Sequence, residues 1–446
     1  MKNSSRRNFI KQNSLSGLGL LAMAGVSSCA DFNSKPENMT LEDSGSTQKI
    51  GEESLEQIHK RYKTELFDRF LPNMDRFIID YDNGGFMINF DVSAREPVNT
   101  NKKTWMQGRG IWVYSFLYNN LDPNPSYLEI ARKAIDFILP LRPTDDNFWN
   151  DIFSREGKPL TGPGDIYGDL FVAEGLAEYS KATGEKKYLD LAKEIILHCV
   201  DRYDQPDYVY TTYAPGDAKI VGTRVLGHWM IFLSLSTQLL QQGPDERFEN
   251  LSNRCINAIL DNHTHPESKI LLEVINHDLT IPDNEFGQFS VIGHSIETAA
   301  FVLAEAVRRK DAYLYARAKE VFKRHVDIAA DDVYGGHFVI LTNIDNYDWV
   351  SRKSAWCEQE VLIGDLLLLE HSGEKWAENS FVETETYVQE KMVRPDLAFW
   401  VFGGDRKLDE LSIKSAEHYH TPRYLMRNIM ALERMMSREG KLSGLF

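Results

Sequence analysis

Five turns recur along this chain at nearly even spacing. "DPNPSYLEIA", "TGEKKYLDLA", "GPDERFENL", "RRKDAYLYA" and "SGEKWAENS" each join a polar or glycine turn to an aromatic near the next helix start. Those aromatics, Tyr127, Tyr188, Phe248, Tyr313 and Trp376, lie 61, 60, 65 and 63 residues apart (188 − 127, 248 − 188, 313 − 248, 376 − 313). A period near 60 residues with two helix-like segments per unit describes a repeated helical hairpin. One hairpin cannot bury its apolar face alone, so neighbours must stack. Six such units close into an all-α toroid, an (α/α)6 barrel. An open solenoid would need a polar capping repeat, and none is visible.

Apolar periodicity places the helices at 54–73, 105–119, 126–139, 165–182, 186–203, 224–242, 245–262, 289–309, 311–329, 353–371, 375–392 and 421–437. In such a toroid every second helix lines the inside, and all inner helices run the same way. Their starts therefore converge on one mouth, near Trp105, Asp165, His228, His294, Trp356 and His420. The long connections "YDNGGFMINFDVSAREPVNTNKK" and "YGGHFVILTNIDNYDWVSRK" carry Gly-Gly before short alternating segments. They are expected to form small hairpins that shape a pocket there.

The N-terminus reads as an address. "SRRNFIK" holds a twin-arginine pair, "LSGLGLLAMAGV" is too short to span a bilayer, and "VSSC" sets Cys29 as a lipidation site. Residues 1–28 are thus expected to be a signal, 29–53 a flexible polar tether, and 54–446 the barrel domain. The expected location is periplasmic or membrane-anchored, as an exported lipoprotein. A net charge of −16, with no basic cluster beyond the leader, argues against nucleic acid and against an anionic membrane surface as partners. Cys199, Cys255 and Cys357 are too few and too widely spaced for a disulfide framework, and are expected as buried small apolar groups.

Several chemistry-bearing residues fall at the inner-helix starts. His294 and Glu297 in "GHSIETAAFVL" share one helix face. This pair could ligate a metal, orient an imidazole, or simply suit the helix dipole. "SAWCEQEVLIGDLLL" groups Trp356, Glu358 and Glu360, either a core tryptophan with solvated acids or a sugar platform with hydrogen-bonding carboxylates. Trp105 and Arg109 lie four apart, the arginine snorkelling or binding an oxygen-rich ligand. Asp165 is a good N-cap, and His228 sits on an apolar helix where a satisfied core histidine is the ordinary outcome. No HxxxH or HExxH spacing occurs, so no metal is expected, although the i, i+2 spacing of His418 and His420 would suit an extended segment sharing one.

The motifs "WMQGRGIWVYSFLY", "DIYGDLFVAEGLAEY", "MIFLSLSTQLL", "GHSIETAAFVL", "YGGHFVILTN", "WCEQEVLIGDLL" and "HTPRYL" together resemble the N-acylglucosamine 2-epimerase family, with its renin-binding-protein, cellobiose 2-epimerase and mannose isomerase branches. They follow the family's order and span nearly all of the chain after the tether. The resemblance implies an (α/α)6 barrel and an acid/base pair of histidines. One falls on His294, in a motif shared with Glu297, and the other on His420, in a motif shared with Pro422 and Arg423. It also implies substrate-side roles for Arg109, Trp356 and Glu360. Glu358 and Gln288 depart from the His and Arg of N-acylglucosamine epimerases, so the resemblance does not select one substrate.

The expected activity is that of a sugar 2-epimerase or aldose–ketose isomerase. It would act on a reducing sugar (N-acylglucosamine or mannosamine, mannose, or a glycan-derived oligosaccharide) by proton transfer at C2 through an enediolate, without a cofactor. Arg109 would stabilise the enediolate and Glu297 would hold the tautomer of His294. Trp105, Trp356, Glu358, Glu360, His228 and Arg423 complete the expected binding set, and His418 is expected to stand aside. The alternatives are an (α/α)6 glycoside hydrolase or lyase, and a lipid-anchored glycan-binding protein without catalysis. A membrane partner is expected only through the lipid anchor, and a homodimer stays open.

Overall fold

The computed structural model describes residues 47–446 apart from 215–217, with the side chains of 212–220 also left out. The signal, most of the tether and Cys29 lie outside the described residues. None of the described helices is long and apolar enough to cross a membrane.

Among the described residues, twelve helices alternate between two concentric rings. The outer ring holds α1 (Leu55–Thr64, continuing through a π turn, Glu65–Phe70, into Leu71–Phe77), α3 (Pro125–Ile138), α5 (Lys186–Tyr203), α7 (Glu246–Asn257), α9 (Ala312–Ala329) and α11 (Lys375–Tyr387). The inner ring holds α2 (Thr104–Asn120), α4 (Ile166–Thr183), α6 (Leu226–Gln242), α8 (Ile292–Arg309), α10 (Ala355–Ser372) and α12 (His420–Ser437). Outer helices carry one apolar stripe, whereas inner helices are buried nearly all round: every residue from Ile166 to Ser180 is buried. α12 packs on α1 and on α2, which closes the ring. The seam is stitched where the Tyr62 and Tyr424 hydroxyls both donate to Glu385 Oε2 at 2.9 Å.

The repeat's aromatics behave unevenly. Tyr188 and Phe248 are buried, but Tyr313 is 74% exposed and its neighbours Leu314 and Tyr315 fill the core position instead. Here the repeat slips by one or two residues. The three cysteines are buried free thiols, as their spacing implies.

The packed domain starts before Ser54. Lys49–Ile50 pairs antiparallel with Glu53–Ser54, Ile50 is buried, and the Thr47 amide donates to Gly440 O at 2.7 Å. Residues 47–53, expected as tether, therefore belong to the barrel.

Short strands connect the helices at the mouth. The two Gly-Gly connections form the expected hairpins, Phe90–Asp91 with Glu96–Pro97 and Ile340–Asn343 with Asp348–Trp349. Unforeseen pairings join them, among them Tyr210–Ala214 with Ala218–Gly222, and Gly403–Asp405 between Arg352–Ser354 and Leu411–Ser412. The two Gly-Gly turns are built alike. Asp80 accepts from Arg155 at 2.8 Å and pairs with Lys102 at 2.9 Å, and Lys102 Nζ also donates to Gly84 O. Asp331 pairs with Lys353 at 3.2 Å and accepts from Arg406 at 2.6 Å, and Lys353 Nζ donates to Gly335 O. Gly84, Gly85, Gly335 and Gly336 all take positive φ, which only glycine adopts freely. Corresponding residues are 251 apart (331 − 80, 353 − 102, 406 − 155), so the first and fifth hairpins repeat one scaffold.

Candidate active site

All six inner helices deliver side chains to one cavity of about 660 Å³ at their N-terminal ends. That is within the roughly 300–1,000 Å³ usual for small-molecule sites. The wall carries Trp105 and Arg109 from α2, Tyr167 and Phe171 from α4, Met230 from α6, His294 and Glu297 from α8, Trp356 from α10 and His420 from α12. The convergence expected from the repeat is thus realised.

The two histidines are held alike. His294 Nδ1 donates to Glu273, at 3.0 and 3.1 Å from its two oxygens. Burial acts to lower the pKa of His294, but the charge and hydrogen bond of Glu273, with Glu297 behind, outweigh it and raise the pKa. His420 Nδ1 donates to Glu417 Oε2 at 3.1 Å, while Glu417 Oε1 accepts from the amides of Tyr419 and His420 at 2.7 and 2.8 Å. One carboxylate thus orients the imidazole and satisfies the first amide of α12. Burial would raise the pKa of Glu417, but His420 holds it far below the ordinary carboxylate range. Nε2 of each ring hydrogen-bonds no described residue, and both rings line the cavity.

Trp356 lies between them, its ring 5.6 Å from His294 and 5.9 Å from His420. Gly293 makes this possible: a Cβ there would come within 2.3 Å of the indole. Trp105 is fixed by its Nε1–H, which donates at 2.8 Å to Asp165, the N-cap of α4. The Arg109 guanidinium is sandwiched 4.1 Å from Phe171 and 4.4 Å from Tyr419. Its Nε is buried without a partner, so the cation is held by ring faces.

The remaining expected residues take other partners, and most stand behind the wall. Glu297 does not touch His294 as a tautomer clamp; it faces Arg423 at 3.7 Å, and Glu273 takes the clamp role. Glu360 is fully buried, paired with Arg423 and absent from the cavity lining. Burial pushes its pKa up, partly offset by Arg423 and reinforced by Glu297. Arg423 also stacks 4.8 Å from Phe301 and does not line the mouth. Glu358 points away and accepts from His337 N and Nδ1, both at 2.6 Å, clamping the second Gly-Gly turn. His228 is fully buried between the hydroxyls of Tyr208 (2.6 Å) and Tyr167 (3.0 Å), and burial draws its pKa down to about 3. It orients Tyr167 from behind. His418 bonds Met106 O at 2.9 Å, off the cavity, and burial lowers its pKa to about 4.

Glu297, Glu360 and His420 place ligand atoms within 4.8 Å of one another, a grouping that could hold a metal ion. The Arg423 guanidinium already supplies a cation to both carboxylates there.

Sequence reasoning missed Glu273, Glu417, Tyr167, Phe171 and Tyr210. Glu417 had a local signal, lying three residues before His420. Glu273 had none, since strand pairing of Val274–Ile275 with Arg224–Val225 brings it to the mouth.

The sequence profile of the N-acylglucosamine 2-epimerase (GlcNAc 2-epimerase) family matches residues 84–422. The chain is 26% identical to the N-acylglucosamine 2-epimerase of Mus musculus over 396 residues, covering 84% of this chain and 91% of that one. It is 24% identical to the cellobiose 2-epimerase of Bacteroides fragilis over 355 residues, 72% of this chain and 84% of that one. The fold matches the cellobiose 2-epimerase of Spirochaeta thermophila with a TM-score of 0.74 at 19% identity, over 86% of this chain and 98% of that one. The chain belongs to the N-acylglucosamine 2-epimerase family and is, with its named relatives, an isomerase of the sugar 2-epimerase class.

Proposed function

We propose that His294 and His420 are the acid/base pair of a reaction at C2 of a reducing sugar in its open-chain form. The observation that carries this reading is the matched pair of histidine–glutamate dyads across one cavity, each leaving Nε2 toward the space where substrate would lie. Imidazole titrates near neutrality, so one ring can take a proton while the other supplies one. The raised pKa of His294 favours it as the protonated member. In the forward step one Nε2 takes the C2 proton, the C–H electron pair forms the C1–C2 double bond, and the carbonyl oxygen becomes the enediolate oxyanion. Arg109 is the cation suited to that charge. Return of a proton to the opposite face of C2 inverts it; return to C1 with transfer of the O2 proton gives the ketose.

Trp105, Tyr167 and Trp356 offer aromatic faces for sugar C–H surfaces, and the cavity has room for an oligosaccharide's reducing end. N-acylglucosamine or mannosamine, mannose and glycan-derived oligosaccharides are the substrate panel. The test is exchange of C2 hydrogen with deuterated water across it. His294→Ala and His420→Ala each abolish exchange on this reading. Wild-type protein that exchanges none of the panel refutes it. Glycosidic cleavage needs two carboxylates flanking a bond, about 5–9.5 Å apart. The carboxylates that line this cavity are engaged elsewhere, Glu273 and Glu417 with histidines and Glu297 with Arg423, which argues against that reading.

The twin-arginine pair and Cys29 support an exported, lipid-anchored protein. Cys29→Ala should then move the protein from the membrane fraction to the soluble one.

A further inference from the structure

A second cavity, of about 140 Å³, lies on the barrel axis among the C-terminal halves of the inner helices. Tyr419 donating to Glu174, and Arg423 paired with Glu360, form the layer between it and the mouth. Three guanidinium groups reach this cavity: Arg423, Arg427 and Arg434. Glu360 matches Arg423, and Glu370 matches Arg434 at 2.6 Å.

Arg427 has no such match. No hydrogen bond or ion pair links it to a described residue; it rests 4.8 Å from the Phe116 ring and 5.9 Å from Trp112. It is exposed while Met426 and Asn428 beside it are buried, and it lines the cavity. The nearby carboxylates are otherwise engaged. Glu178 accepts from Asn119 (2.7 Å) and Gln238 (3.0 Å) and lies 3.6 Å from Lys181. Glu174 accepts from Tyr419, and burial lifts its pKa to about 7. A guanidinium stays charged at any working pH, and here it faces a confined, solvent-reached space whose nearby carboxylates are taken by other donors. Something of opposite sign and small size fits the space.

We propose that this cavity binds a small monovalent anion, a halide or short carboxylate, held by Arg427 with Arg423 at its flank. A volume of about 140 Å³ admits such an ion and excludes a nucleotide or sugar phosphate. Guanidinium is the side chain best matched to carboxylate geometry. The inference is independent of the reaction proposed above.

Full-length protein moved from 100 mM sodium gluconate, too bulky for the cavity, to sodium chloride or formate at equal ionic strength should gain about 2 °C in Tm, as an anion at roughly ten times its Kd would give. Arg427→Met should lose that gain, with Arg427→Lys retaining part of it. Bromide-soaked crystals of the wild-type protein should show an anomalous peak within reach of the Arg427 guanidinium, a readout that needs no variant to fold. Equal Tm in the three salts together with no bromide at Arg427 would overturn the proposal. So would an Arg427→Met protein that keeps the full gain.

Discussion

The first and fifth hairpins share one scaffold and put it to opposite electrostatic use. Trp105 and Trp356, 251 residues apart (356 − 105), both present an indole to the cavity. Arg109 and Glu360 are likewise equivalent (360 − 109). The first is a cation at the cavity wall held by ring faces; the second is an acid sunk beneath the wall and tied to Arg423. Gln107 and Glu358 also correspond. Gln107 Oε1 accepts from Phe86 N at 2.8 Å, whereas Glu358 accepts from the His337 amide and imidazole. A repeated backbone thus fixes where side chains start, and single substitutions decide whether a charge reaches the cavity.

The sharpest way to break this comparison is to remove the shared anchor. Asp80→Asn and Asp331→Asn each strand a buried lysine, and each should cost about 3–5 kcal/mol by urea denaturation. Both carboxyls would be raised by burial but are held far below the ordinary range by their arginine and lysine partners. Unequal costs, with one below about 1 kcal/mol, would mean the two turns are alike in shape only.

Next comes the charge difference at the cavity. Arg109→Gln should lower kcat for C2 exchange by about 100-fold with little change in Tm. A Tm that falls as far as activity would assign Arg109 to packing instead.

A smaller effect should follow from making the fifth hairpin like the first. Glu358→Gln keeps the contact to the His337 amide and loses only the charge-assisted part, about 1–2 kcal/mol of stability in thermal melts. A larger loss would show that the imidazole contact, absent from the first hairpin, carries the turn.

A further effect, confined to high pH, concerns Asp365, which occupies the position of Tyr114 (365 − 114 = 251). It is fully buried with neither oxygen hydrogen-bonded, the Ser380 hydroxyl lying beside it outside bonding geometry. Burial raises its pKa well above the ordinary value. A carboxyl with a raised folded pKa stabilises below its unfolded pKa of about 3.9, and that stability is lost as pH rises through the folded pKa. Asp365→Asn should therefore match the wild type near pH 4 and melt higher at pH 8. A constant gap across that range would refute the assignment.

Much of this was legible before any coordinates. The period fixed twelve helices and their alternation, because helical hairpins stack locally and each repeat reports its own register. The helix starts predicted from it delivered His294, His420, Trp105, Trp356 and Arg109 to one cavity. What escaped was whatever depends on pairing between distant extended segments. Glu273 reaches His294 through a two-residue strand, and two residues carry no periodicity to read. Glu297 misled because helical spacing shows which residues share a face, not which partner from another helix lies nearer. Arg423 was nearer.

The Thr47–Gly440 hydrogen bond brings the first described residue beside the chain's last segment, past the C-terminus of α12. Inner helices point their N-termini at the sugar cavity, so this junction lies on the opposite end of the barrel. The first and last described segments therefore meet at the end of the barrel opposite the mouth, and a probe fixed to the C-terminal segment would leave the opening clear.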